Sequence, residues 1–153
     1  MTDAPSIHAT CVLVGPRAAL IRGPSGSGKS RLALRLLQAG LPFARLVSDD
    51  RTLVEAAHGR LVARPVPALV GLLEIRGVGI RRLPHEPAAM VGLVVELAAA
   101  GERMPEQPFV ALAGVRLPRL AVPAGSDPLP LVLAACPGQG LATPPFQALD
   151  TMR

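Results

Sequence analysis

The chain has 153 residues, half of them hydrophobic but only three aromatic, all Phe. That length holds one domain with a core of Leu, Val, Ala and Ile, and leaves little room for a second. The formal net charge of +5 invites a nucleic-acid partner, but the arginines are scattered, no basic run exceeds Arg81-Arg82, and there is no Tyr or Trp to stack on bases, so none is expected.

Cys11 and Cys136 lie far apart without a C-x-x-C pair, and no basic-then-apolar leader opens the chain. Glu96 interrupts the longest apolar run, around Met90 to Ala100. A soluble, cytoplasmic protein with reduced thiols and no membrane partner is the expectation.

In chain order, Ile7 to Val14 and Ala18 to Arg22 predict two strands joined by the turn Gly15-Pro16-Arg17. Next comes Gly23-Pro24-Ser25-Gly26-Ser27-Gly28-Lys29-Ser30, which fits the phosphate-loop pattern G-x-x-x-x-G-K-[ST] without a mismatch. Lys29 is the only lysine; every other basic residue is Arg, so a compact ammonium is selected at this slot. Helical spacing of Leu32, Leu36 and Ala39, with Gly40 as a stop, predicts a helix from Lys29 to Ala39.

Pro42 to Val47 predicts a strand ending at Ser48-Asp49-Asp50, and Thr52 to Ala57 with Arg60 to Val66 a hairpin around His58-Gly59. Leu73 to Ile80 reads as an apolar strand carrying Glu74 and Arg76 on one face, followed by Gly77 and Gly79. Met90 to Leu97 is the most strand-like run and is expected to be central and buried on both faces. Ala98 to Pro108 is expected to be a mobile connection, Phe109 to Val122 two edge strands interrupted at Pro118, and Asp127 to Cys136 a short helix.

These elements predict an α/β chain: a P-loop nucleotide-binding domain with a mixed central sheet and few flanking helices over residues 1–136. Residues 137–153, rich in Pro, Gly and Ala, are expected to be a disordered tail.

In a phosphate loop the glycines let backbone N–H groups turn onto phosphate oxygens, and the helix start adds partial positive charge. Lys29 would reach the β and γ phosphates of ATP while the Ser30 hydroxyl takes Mg²⁺. Phosphoryl transfer also needs an acid near the metal and often a carboxylate base, and Asp49 and Asp50 stand at a strand end, where such residues gather. Glu74 and Arg76 fit either a structural ion pair or a metal ligand beside a phosphate-contacting arginine. His8 and Arg103 are lone candidates, the second in a loop from which a mobile arginine could neutralise transferring charge.

Together these residues resemble the catalytic domain of bacterial HPr kinase/phosphorylase, which phosphorylates a serine of the sugar phosphotransferase carrier HPr. Four elements match in order: His8, the loop GPSGSGKS at 23–30, LVSDD at 46–50, and LEIRGVGI at 73–80, the most discriminating. The resemblance covers about residues 7–122 and is to the short form found in alphaproteobacteria. It implies Lys29 and the loop on the nucleotide, Ser30 and Glu74 on Mg²⁺, Asp50 as general base with Asp49 beside it, His8 in support, and Arg103 as the catalytic arginine. It implies ATP and Mg²⁺ as cofactors, HPr or a related phosphocarrier as partner, and leaves a homo-oligomer open. The chain departs at Val122-Pro123-Ala124-Gly125-Ser126-Asp127, where the family's P-V-R-P-G-R-N-like segment, tied to phosphorylase activity, has arginines and an asparagine. The same residues also suit an ATP-binding regulatory subunit without transfer, or a P-loop small-molecule kinase.

Overall fold

The computed structural model describes residues 5–98 and 108–136. The chain enters at β1 (Ser6–Ile7), bends at His8 and resumes as β2 (Ala9–Val14), which turns antiparallel into β3 (Arg17–Arg22). The single first strand expected from Ile7 is therefore two. β1 pairs with a later strand while β2 pairs with β3, and the bend at His8 hands the chain from one ladder to the other.

After the glycine-rich loop comes α1 (Lys29–Leu37), two residues shorter than the sequence predicts; the N–H of Gln38 donates to the Leu34 carbonyl (3.0 Å) and that of Ala39 to the Leu36 carbonyl (3.4 Å), which closes it. Its face of Leu32, Ala33 and Leu36 is fully buried. At about 1.5–3 kcal/mol for each large apolar side chain, that burial outweighs the helix's own propensity at so short a length.

β4 (Ala44–Ser48) runs antiparallel along the free side of β2. β5 (Thr52–Ala57) and β6 (Arg60–Pro65) form the expected hairpin, with positive φ at both central residues, His58 (53°) and Gly59 (75°), as a two-residue primed turn requires. A single 3₁₀ turn at Pro67–Leu69 leads to β7 (Leu72–Ile75) and β8 (Gly79–Arg82), a separate two-stranded sheet. The expected strand ends sooner, at Ile75, and the glycines after it turn the chain into a hairpin. Gly77 (φ 85°) and Gly79 (φ 107°) take a conformation that reverses the chain, so Arg76 falls in the turn. Glu74 and Arg76 are both exposed and form no buried same-face pair.

β9 (Ala89–Leu97) is central, as expected, and parallel to β3. Its other edge is shared: residues 89 and 90 pair with β6, and 94–97 pair in parallel with β11 (Val115–Val122), itself in a hairpin with β10 (Phe109–Leu112). Pro118 does not interrupt β11. It lies opposite Phe109, and the flanking bond runs from Arg119 N–H to the Pro108 carbonyl (2.7 Å), so the ladder to β10 asks nothing of the missing proline N–H. The predicted last helix is α2 (Pro128–Ala135), capped by the Asp127 carboxylate, which accepts the Leu129 N–H.

The resulting sheet of nine strands is mixed, in the order β1-β5-β6-β9-β3-β2-β4 with β11 and β10 beside the upper part of β9. Its two faces are separate apolar layers. Thr10, Val12 and Val14 of β2 and Ala19 and Ile21 of β3 face α1 and α2, while Ala9, Cys11, Ala18 and Leu20 face the side where the sheet curls over through β5, β6 and β11. Along β9 the alternation inverts at Gly92: Ala89 and Val91 face the curled side, but Leu93, Val95 and Leu97 face the helices. Gly92 is the extra residue of a bulge against β3, where Ala18 pairs with Val91 and Ala19 with Leu93.

Candidate active site

β3 delivers the chain to the loop at a fixed point. The Arg22 guanidinium lies on the Glu96 carboxylate, with Nε at 2.9 Å and a second, closer contact through Nη2; Arg119 Nε is 3.8 Å from the same carboxylate. This partly buried cluster ties the entry of the loop to the ends of β9 and β11.

Within the loop the Ser27 N–H donates to the Pro24 carbonyl (3.0 Å), and the Lys29 ammonium, in a residue only 7% exposed, donates to the carbonyls of Gly23 (2.8 Å) and Pro24 (3.1 Å). A Cβ on Gly23 would lie 2.5 Å from Ser27 Oγ and 3.1 Å from the Leu97 carbonyl oxygen, so any other residue would have to turn the Ser27 side chain and press on the β9 backbone. At Gly26 and Gly28, with φ of 80° and 97°, an added Cβ meets none of the described residues within 4 Å, and among these the loop is open on that side. Among the described residues no side chain caps α1, which leaves its first-turn N–H groups at that opening, an arrangement suited to an anion. Ser27 Oγ is buried without a partner among the described residues.

The end of β4 brings the acids to the same place. Asp49, 7% exposed, accepts from Ser30 Oγ (2.6 Å) and Thr10 Oγ1 (2.9 Å) on Oδ1, and from the Glu74 N–H (3.3 Å) on Oδ2. One carboxylate thus joins α1, β2 and β7. Asp50 adopts φ 67°, and the Arg51 N–H returns to the Asp49 carbonyl (2.7 Å), a three-residue turn centred on Asp50 that projects its side chain outward. His8 Nε2 lies 3.1 Å from Asp50 Oδ1 and, facing a carboxylate, carries the proton. Behind the turn Thr52 Oγ1 donates to the Ala9 carbonyl (2.9 Å), so the Ser48 hydroxyl, 2.5 Å away, donates to Thr52.

Thr10 was not singled out from the sequence. Its hydroxyl donates to Asp49 and accepts the Asp50 N–H (3.3 Å), setting the two acids against each other. The only trace in the sequence is one hydroxyl residue inside the apolar strand ATCVLV.

A family model for the HPr Serine kinase C-terminal domain matches residues 1–123. The chain belongs to that family. Among members of the HPr serine kinase family, HPr kinase/phosphorylase of Streptococcus thermophilus is 34% identical over 137 residues, covering 80% of this chain and 43% of the relative. That of Clostridium beijerinckii is 42% identical over 74 residues, covering 48% and 24%. The chain therefore spans less than half the length of these relatives. The solved structure of the HPr(Ser) kinase/phosphatase from Coxiella burnetii superposes with a TM-score of 0.70 at 21% identity, covering 84% of this chain and 86% of that one, which shows a shared fold.

Of the residues predicted for the site, the fold gathers the loop 23–30, His8, Asp49, Asp50 and the backbone of Glu74; Arg103 lies outside the described residues, as do residues 137–153. Cys11 and Cys136 are free and belong to opposite apolar layers. Burial pushes their thiols up, to about 12 and about 11, so neither is a thiolate at neutral pH. Among the described residues no helix is long and apolar enough to cross a membrane.

Proposed function

We propose that this chain is an ATP- and Mg²⁺-dependent serine kinase acting on HPr or a closely related phosphocarrier in the cytoplasm, with residues 1–136 as its P-loop kinase domain. The observation that carries the reading is the convergence of Ser30, Asp49 and Asp50 at the open phosphate loop. The names of the relatives, HPr kinase/phosphorylase, supply the acceptor.

The residues fit both cofactors. The uncapped helix start, the open side of Gly26 and Gly28 and the unpartnered Ser27 hydroxyl suit a triphosphate. Ser30 Oγ and the Asp49 carboxylate are hard oxygen donors side by side, and Glu74, on the strand anchored to Asp49, would supply a third. Magnesium, when bound, neutralises charge on the phosphates and orients them.

The two acids divide the remaining work. Asp49 is buried and committed to three donors, whereas the Asp50 side chain is 68% exposed with His8 as its side-chain partner, so a serine on another protein can reach it. Asp50 would accept the serine proton, with its orientation held by His8. Lys29 would exchange the Gly23 and Pro24 carbonyls for phosphate oxygens, and Arg103, outside the described residues, would add charge at the transferring group.

Incubation with labelled ATP, Mg²⁺ and HPr tests this reading. It predicts label on an HPr serine; label in a metabolite pool but not in HPr would make the chain a small-molecule kinase, and ATP binding with no labelled acceptor would make it a regulatory subunit.

A further inference from the structure

We propose a second anion site, built for a small phosphate-bearing molecule, in the cleft where β6 and β11 share the edge of β9. The cleft, of about 240 Å³, is lined by Arg17, Arg60 and Arg116 together with Gly92, Val91 and Leu117. It is at the other end of β3 from the phosphate loop: Arg17 opens the strand and Gly23 follows its end, a separation of about 20 Å at roughly 3.3 Å per residue.

Three features make it a site rather than a solvated basic patch. The first is charge without compensation. The described carboxylates Glu55, Glu86, Glu96 and Asp127 pair with Arg64, Arg45, Arg22 or Arg119, and Arg35, but none pairs with Arg17, Arg60 or Arg116, and among the described residues no acid lines the cleft. Three arginines line one concavity with no anion among the described residues, an arrangement of like charge that an entering anion relieves.

Each of these arginines is also held by something uncharged. Arg116 stacks on the Phe109 ring at 4.0 Å from its centroid, and Arg60 Nη1 donates to Met90 Sδ at 3.3 Å. The Arg17 stem lies across Gly92, where an added Cβ would come within 2.6 Å of Arg17 Cβ and 3.0 Å of Cγ. Such mounts limit the rotamer freedom lost on binding.

The third feature is the backbone. β6 stops pairing with β9 at Met90 and the pairing with β11 begins at Val94, so residues 91–93 have no strand on that edge among the described residues. The main-chain groups there join no ladder on that edge among the described residues, and Val91 with the bulged Gly92 lines the cleft. The volume, below the roughly 300 Å³ at which drug-sized pockets begin, suits a phosphate and a few attached atoms.

The test is a titration of the full-length ¹⁵N-labelled chain with inorganic phosphate and with glycerol 2-phosphate, followed by amide NMR. The proposal predicts saturable shifts at Gly59, Val91, Gly92 and Leu117, weakening with added salt. In the double variant Arg60→Gln/Arg116→Gln affinity at these amides should fall roughly tenfold or more, while the remaining spectrum and any shifts at Gly26, Gly28 and Ser30 stay as in the parent. Shifts confined to residues 23–30, cleft shifts that do not saturate, or saturation untouched by the double variant would each overturn it. A short oligothymidylate that shifts the same amides at lower concentration than either phosphate would also overturn it, and assign the face to nucleic acid.

Discussion

Asp49 and Asp50, consecutive at the end of β4, stand in opposite surroundings: Asp49 is 7% exposed under three hydrogen-bond donors, while the side chain of Asp50 is 68% exposed beside His8. The same substitution should therefore do different things at the two positions. In Asp49→Asn one of the hydroxyl or N–H donors faces an amide NH₂, which should cost about 1–3 kcal/mol of stability and lower nucleotide affinity in the presence of Mg²⁺. Asp50→Asn should stay within about 0.5 kcal/mol of the parent, retain ATP binding and lose phosphoryl transfer. Urea unfolding, ATP calorimetry and transfer assays on both variants check this; equal loss of binding and transfer in Asp50→Asn would make Asp50 structural.

Thr10 should prove nearly as important to the site as the acids it joins. Thr10→Val keeps the shape but leaves the Asp50 N–H without its acceptor and Asp49 short of a donor. A loss of about 1–3 kcal/mol is expected, seen as a lower urea midpoint at unchanged slope. Thr10→Ser should restore most of it, and failure of that rescue would assign the loss to packing.

The phosphate loop should not tolerate even one methyl group at its first glycine. Gly23→Ala drives a Cβ onto Ser27 Oγ and the Leu97 carbonyl, so the loop must shift away from β9. ATP affinity should fall by roughly tenfold or more, whereas Gly26→Ala has free space and is opposed only by its positive φ. Calorimetry on the pair would expose an error if Gly23→Ala bound as well as the parent.

The Arg35–Asp127 pair, with Oδ1 at 2.5 Å from Nη1, joins the end of α1 to the start of α2. The hydrogen bond from Arg35, helped by the Leu129 N–H, holds the Asp127 carboxyl below its ordinary value of 3.8. A lowered folded-state pKa means the contribution is present above pH 3.8 and is lost as pH falls through the folded value. Asp127→Asn keeps the cap but not the charge. Its Tm should lie below the parent's at pH 6, the gap closing at lower pH and shrinking in high salt, as an exposed pair requires. A gap constant with pH would mean that the charge contributes nothing.

The glycine-rich turn before α1, α1 itself, the β5–β6 hairpin and the Asp127 cap are legible in the sequence because each has a local signal: a run of glycines, a 3.6-residue period, a His-Gly turn, an Asp-Pro start. What was hidden is non-local. The apolar run from Leu73 to Ile80 looks like one strand until Gly77 and Gly79 take positive φ. Pro118 looks like a break until the pairing of β10 and β11 places it where no N–H is needed. Thr10 is one hydroxyl in a strand until Asp49, far along the chain, arrives beside it. Arg17, Arg60 and Arg116 are scattered in sequence and meet only because β3, β6 and β11 converge on β9.

The central claim is transfer of the γ-phosphoryl group to a protein serine by a site anchored on Lys29. The direct measurement is phosphoserine on HPr after incubation with γ-labelled ATP and Mg²⁺, comparing the parent chain with Lys29→Ala of matched unfolding midpoint. Label in the parent and loss of at least roughly a hundredfold in the variant is the expected result. An unlabelled HPr with the parent chain, or undiminished labelling by Lys29→Ala, would contradict it.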